Sequence, residues 1–130
     1  MIFFGHRFIP SEQFYHVQNI DAINNTPPNS TIITDFNEEN LDIIKHASAN
    51  EIKLALHVES VKEVVYASAL GASYLVVSKT IAKTAQNLAD NYLFDAKILV
   101  MIESEDEVEE LSLLGIDGVV CSNAIIKINS

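Results

Sequence analysis

The chain has 130 residues, 48% of them hydrophobic, and its 8 Lys and Arg against 18 Asp and Glu give a formal net charge of −10 at pH 7. This length and apolar content suit one domain with its own core and argue against disorder. The acidic balance argues against nucleic acid or an anionic membrane surface as the main partner, because both require clustered Lys and Arg.

Sequence features that would direct the chain into or across a membrane are not found. No apolar run approaches the roughly 18 residues of a membrane-spanning helix. The start, MIFFGHRF, does not have the basic-then-apolar order of a signal peptide. The single cysteine, Cys121, excludes an intramolecular disulfide and suits a reducing compartment. We therefore expect a cytoplasmic protein.

Residues 1–29 have the least regular pattern in the chain. Ile2–Ile9 is apolar and aromatic, and Phe14–Val17 is a second short apolar stretch. The pair predicts an N-terminal strand or a hairpin. Residues 24–30, NNTPPNS, form a loop, because prolines and asparagines propagate neither helices nor strands.

The segment from Lys53 to Lys83 is repeated 44 residues later, from Lys97 to Lys127, without a gap and with 12 identical positions. Each copy has a short apolar run, a Ser-x-x-Glu capping box, a helical pattern ending at a glycine, and a second apolar run. The order strand, helix, strand is that of a βαβ unit, whose strands are parallel.

These elements predict a single α/β domain over residues 1–130, in which residues 30–130 are βα units with a 44-residue period and residues 1–29 add the N-terminal strand or hairpin. A parallel sheet of about five strands is expected, near residues 31, 54, 74, 98 and 118. Both a partial TIM-barrel-like fold and an open flavodoxin-like fold fit this pattern. The two-unit period favours the barrel, which is built from repeating units.

Residues 98–124 have the order apolar strand, acidic helix, Gly-Ile-Asp-Gly and apolar strand. This segment resembles the closing part of glycerophosphodiester phosphodiesterases, which are (β/α)8-barrel enzymes. Gly5-His6-Arg7 is similar to the His-Arg-Gly of that family's first strand, although Phe8 stands where the family has glycine. The resemblance covers about a fifth of the chain and implies a barrel fold.

Ligands of parallel α/β sheets bind at the carboxyl ends of the strands. The candidate ligand-binding residues there are His6, Arg7, Asp35, His57, Glu59, Ser78, Glu103 and Asn123. If Leu54, Leu56 and Val58 face one side of their strand, His57 and Glu59 face the other.

The chemistry of such a site depends on which side chains it uses. Arg7 suits an anion, whereas Asp35, Glu59 and Glu103 are the candidate ligands for Mg²⁺ or Mn²⁺. Glu59 and Glu103 also have a structural explanation, because they directly precede helix N-termini, where carboxylates are favoured.

Two functions fit the sequence. The first is a non-catalytic domain that binds a protein partner or a small anionic ligand and needs no cofactor. The second is a metal-dependent hydrolase or lyase acting on a small phosphorylated substrate. No compact catalytic motif is present, which favours the first function. The N-terminal aromatic side chains exceed what the core needs and predict a homodimer; they are Phe3, Phe4, Phe8, Phe14 and Tyr15.

Overall fold

A computed structural model describes residues 1–128. Its strands are β1 (Ile2–Phe4), β2 (Phe14–His16), β3 (Thr31–Asp35), β4 (Leu54–His57), β5 (Tyr74–Val77), β6 (Lys97–Ile102), β7 (Gly118–Cys121) and β8 (Ile125–Lys127). Its helices are α1 (Ile20–Ile23), α2 (Leu41–Ala49), α3 (Val61–Ala69), α4 (Lys79–Tyr92) and α5 (Asp106–Leu113), with 3₁₀ turns at Glu38–Asn40 and Ser122–Ala124. None of the helices within residues 1–128 is long and apolar enough to cross a membrane.

The eight strands form one parallel sheet in the order β1-β7-β6-β5-β4-β3-β2-β8, curled into a half-barrel. Strands β2 to β7 are neighbours in chain order, so the chain winds in one direction and its helices lie on one face of the sheet. A flavodoxin-like sheet would instead reverse direction at a switch point. The predicted α/β fold is therefore confirmed, in its partial-barrel form.

The N-terminal segment differs from one of its two predicted forms. Strands β1 and β2 do not pair with each other, because β1 pairs with β7 and β2 lies between β3 and β8. The hairpin alternative is therefore wrong, and the segment supplies two parallel strands. The nine-residue connection between them (residues 5–13) carries the chain back to the other end of the sheet, which a tight hairpin turn cannot do.

Side chains on the inner, concave face of the sheet form one cluster, here called the inner cluster. It contains a residue from each of strands β1 to β7 together with Ala124, and its members are Phe4, Phe14, Ile33, Ala55, Val76, Leu99, Val120 and Ala124. The rings of Phe4 and Phe14 lie 4.8 Å apart. The curled sheet therefore brings the side chains of its two end regions into contact.

The outer face of the sheet is covered by helices. Leu54, Leu56 and Val58 belong to a larger cluster that also contains buried residues of α2, α3, α4 and α5. The helix boundaries follow the predicted signals in the first repeat copy, where the Glu63 amide donates to Ser60 Oγ at 3.2 Å and Gly71 has a φ of 87°. The helices therefore lie on the side of the sheet opposite the inner cluster.

Candidate functional site

The opening of the curled sheet at the carboxyl ends of its strands contains a cavity of about 220 Å³, here called the mouth. Six side chains from five strands of the sheet line it: His16, Ile33, Asp35, His57, Met101 and Ile125. Half of these are apolar and three are ionisable. This volume is slightly below the roughly 300–1,000 Å³ of typical ligand pockets, so the cavity suits a small molecule of few atoms.

Strand alternation places these side chains at the mouth. Residues two positions apart on a strand face the same side, and four residues of the mouth follow inner-cluster residues at this spacing. The pairs are Phe14 and His16, Ile33 and Asp35, Ala55 and His57, and Leu99 and Met101. The polar end of the cavity therefore continues directly from the apolar interior.

Asp35 and His57 are the two predicted residues that lie together at the mouth. They are partners on adjacent strands, and His57 Nδ1 lies 3.5 Å from Asp35 Oδ1. This separation is longer than that of a good hydrogen bond, but the two side chains form an ion pair when the imidazole is protonated. Both side chains are partly exposed, so a ligand can reach them.

His16 completes the group of ionisable side chains and was not among the predicted site residues. Its imidazole is half-buried and has no hydrogen-bond partner among residues 1–128. A polar group that lies in a cavity without a protein partner is available to a ligand. Strand alternation could have identified His16, because on a strand it faces the same side as the buried Phe14 two residues earlier.

Lys127 also lies beside the mouth. It pairs in register with His16, and it is two residues after Ile125, which lines the cavity. Ile128 packs against the larger cluster on the outer face of the sheet, so strand alternation places Lys127 on the inner side of β8. Two histidines and one aspartate therefore line the mouth, and a lysine lies on the strand beside His16.

Glu59 and Glu103 do not line the mouth. Both are exposed, and their backbone amides donate to the carboxylates of Glu63 and Glu107 at 3.0 Å and 2.9 Å. The bond from Glu103 and a second one from the Ser104 amide lower the pKa of Glu107. The carboxylates that satisfy the free amides at these two helix starts are thus those of Glu63 and Glu107.

The second copy differs from the predicted capping box in one detail. Ser104 Oγ accepts from the amide of Asp106 at 3.2 Å, rather than from the amide of Glu107. The Glu107 carboxylate compensates by accepting from two amides. Helix α5 therefore starts one residue later than the capping box predicts, with Glu105 instead of Ser104 as its N-cap residue.

His6 and Arg7 lie in the β1–β2 connection. His6 Nδ1 accepts from the Phe8 amide at 3.1 Å, and His6 Nε2 lies 3.1 Å from Glu105 Oε1. The first bond places the proton of the neutral imidazole on Nε2, facing Glu105. The Arg7 guanidinium stacks over the Phe8 ring at 4.6 Å.

Asn123 and Ser78 have structural partners as well. Asn123 Nδ2 donates to the Gly5 carbonyl oxygen at 3.0 Å, at the point where β1 ends. A Cβ atom on Gly5 would lie 2.9 Å from Asn123 Oδ1, and Gly5 has a φ of 87°, so glycine is required there. Ser78 Oγ lies 2.8 Å from Thr80 Oγ1 at the start of α4.

Metal binding can be judged from the positions of the predicted ligands. Within residues 1–128, no three His, Cys, Asp or Glu side chains come together in a group that could hold a metal ion. Asp35 is next to His57, whereas Glu59 and Glu103 do not line its cavity. The predicted set of Asp35, Glu59 and Glu103 therefore does not fit Mg²⁺ or Mn²⁺, which need several oxygen ligands around one point.

Cys121 is half-buried beside a separate small cavity that also contacts Glu105. Burial and the nearby Glu105 carboxylate raise the pKa of its thiol. The thiolate is the reactive form of cysteine, so this environment disfavours a nucleophile.

Comparison of the sequence with protein-family models and with curated proteins gave no match.

Proposed function

We propose that the protein binds a small anionic molecule, such as a phosphate- or carboxylate-bearing metabolite, at the mouth. The observation that carries the proposal is the pair of histidines facing one cavity, of which His16 has no hydrogen-bond partner among residues 1–128. Imidazoles that are free to donate can bind an anionic oxygen, and they bind it more strongly when protonated.

The local charge supports an anion rather than a cation. The chain as a whole has a net charge of −10, but His16 and His57 line the mouth with one carboxylate, that of Asp35, and Lys127 is the register partner of His16. Asp35 lies 3.5 Å from His57 and would keep that imidazole oriented toward the cavity. The apolar side chains Ile33, Met101 and Ile125 would contact the rest of the ligand.

The alternative function, a metal-dependent hydrolase or lyase acting on a phosphorylated substrate, is less well supported. That function needs several oxygen ligands around one ion, and the carboxylates within residues 1–128 are not grouped in this way. A phosphorylated ligand remains compatible with the histidines. Binding without metal-assisted chemistry is therefore the better proposal.

Binding can be tested by titrating the protein with inorganic phosphate while following the histidine ring signals by NMR. The signals of His16 and His57 are expected to shift together with one dissociation constant. His57→Gln is expected to weaken binding about tenfold, since a hydrogen bond to a charged group contributes about 1.5–3 kcal/mol. His46→Gln is the matched control, because His46 is a partly exposed histidine on α2 that does not line the mouth.

The Asp35→Asn variant separates an anion site from a metal site. Removing the carboxylate is expected to tighten phosphate binding, because a negative charge next to the ligand is lost. A cation site would lose affinity instead, and a parallel titration with Mg²⁺ or Mn²⁺ would show it. Phosphate shifts that are equal at His46, or missing at the mouth, would refute the proposal.

A further inference from the structure

The β1–β2 connection forms an exposed surface of the fold, here called the seam (Arg7, Phe8 and Ile9). The connections after β3, β4, β5 and β6 each contain a helix of at least eight residues, and buried residues of these helices pack against the sheet. The connection after β1 contains no helix, only residues 5–13. The connection between β1 and β2 is therefore an irregular loop, unlike the helical connections after β3 to β6.

Apolar surface is left exposed at the seam. Phe8 is 74% exposed and Ile9 is 38% exposed. Fewer N-terminal aromatic side chains are exposed than the sequence predicts, because Phe4 and Phe14 are buried in the inner cluster. Phe8 remains as the largest exposed apolar side chain of the segment, and such a side chain commonly marks a contact with another molecule.

The seam also has an unpaired positive charge. Arg7, the single arginine of the chain, is exposed and stacks on the Phe8 ring at 4.6 Å. It makes no ion pair within residues 1–128. An arginine stacked on an aromatic ring is a common anchor in protein interfaces, and here it would select an acidic partner.

Helix α5 has the complementary surface. Leu113 is 81% exposed, and Asp106 and Glu109 lie seven and four residues before it, which places all three on one side of the helix. Glu107 caps the helix and Glu110 pairs with Lys79, whereas the side chains of Asp106 and Glu109 make no ion pair within residues 1–128. The outer side of α5 is thus apolar at one point and acidic beside it.

We infer that the protein forms a two-fold symmetric homodimer in which α5 of each copy covers the seam of the other. The two surfaces are neighbours on one molecule, as the 3.1 Å contact between His6 and Glu105 shows. A two-fold axis between neighbouring complementary surfaces makes both contacts at once and closes the assembly. Leu113 would pack against Phe8 and Ile9, with Arg7 near Glu109.

Sedimentation equilibrium of the full chain tests this inference at about 0.15 M salt, where the Debye length is about 8 Å and the repulsion between two acidic copies is screened. The wild type is expected to dimerise. Leu113→Ser and Phe8→Ser are each expected to raise the dissociation constant about tenfold or more. Tyr92→Ser is the control, because Tyr92 is comparably exposed on α4, outside both surfaces, and should leave the constant unchanged.

A charge exchange identifies the contacting surfaces. Arg7→Glu is expected to weaken dimerisation, and the double variant Arg7→Glu with Glu109→Lys is expected to restore it. A variant that is merely misfolded would not be restored by the second change. A monomeric wild type, an unaffected Leu113→Ser dimer or a double variant without recovery would each overturn the inference. A monomer that binds an acidic helical peptide at Phe8 would do the same, because the seam would then belong to a different partner.

Discussion

The amino-terminal and carboxyl-terminal ends of the strands both carry ionisable side chains, but these side chains have different surroundings. At the amino-terminal end, here called the floor (Glu12, Phe14, Thr31, Lys53 and Tyr74), Thr31 Oγ1 donates to the Glu12 carboxylate at 3.1 Å and Lys53 Nζ lies 3.6 Å from it. At the mouth, His16 has no such partner within residues 1–128. Ionisable groups that satisfy one another stabilise a fold, whereas unsatisfied groups in a cavity are available to bind.

Packing shows the same difference. The rings of the floor residues Phe14 and Tyr74 contact each other and the ring of Phe4, with centroid distances of 4.8 to 5.4 Å. At the mouth, a cavity of about 220 Å³ remains and Met101 is 40% exposed. The floor is therefore built for stability and the mouth for access, which is the usual division between the two faces of a (β/α) barrel.

The largest expected effect separates two residues of the same strand. Phe14→Ala should lower the free energy of unfolding by about 3–5 kcal/mol, because a fully buried ring is replaced by a cavity. His16→Ala, two residues further on the same face, should lower it by about 1 kcal/mol or less. Urea denaturation of both variants measures the difference. Equal losses would contradict the division between floor and mouth.

A second expected effect concerns the close approach of β1 to β7. A Cβ atom on Gly118 would lie 2.7 Å from the Ile2 carbonyl oxygen and 2.7 Å from Leu99 Cδ2. Gly118→Ala must therefore displace backbone, and we expect it to cost about 1–3 kcal/mol. Ser112→Ala, at an exposed position on α5, is the control and should change stability little. Denaturation of Gly118→Ala at the wild-type midpoint would show that β1 is not held in this position.

The fold was predictable where the apolar runs are long. Strands β3 to β7 each have four to six residues and appear in the sequence as distinct apolar stretches. Strands β1, β2 and β8 have three residues each, which is too short for a periodic pattern. Their place in the sheet depends on tertiary contacts such as Phe4 with Phe14, which no local pattern contains.

The site was predictable only in part, for a related reason. The ends of β3 and β4 indicate Asp35 and His57, and the structure places these side chains 3.5 Å apart. Glu59 was expected to face the same side as His57, but it lies two residues after the end of β4 and does not line the mouth. His16 was missed because β2 could not be identified with certainty from three residues.

An intermediate effect concerns the floor at alkaline pH. Burial and the Glu12 carboxylate raise the pKa of Tyr74 above its ordinary value of 10.0, while Lys53 opposes the shift. Since the folded pKa is the higher one, the neutral phenol stabilises the fold fully below about pH 10, and this stabilisation is lost as the pH rises through the folded pKa. The wild type should therefore lose more stability than Tyr74→Phe as the pH is raised above about 10. Parallel losses in urea denaturation would refute this assignment.

The smallest expected effect tests whether the two ends are electrostatically independent. Glu12→Gln keeps an oxygen acceptor for Thr31 and removes a partly exposed ion pair with Lys53, so the free energy of unfolding at neutral pH should change by about 1 kcal/mol or less. The same variant should lower the pKa of Tyr74, because one of the causes that raise it is gone, while the shift due to burial remains. Absorbance titration of the tyrosinate form measures this change. Asp35→Asn is the control from the mouth: an equal decrease in the Tyr74 pKa in that variant would show that the mouth and the floor form one coupled site.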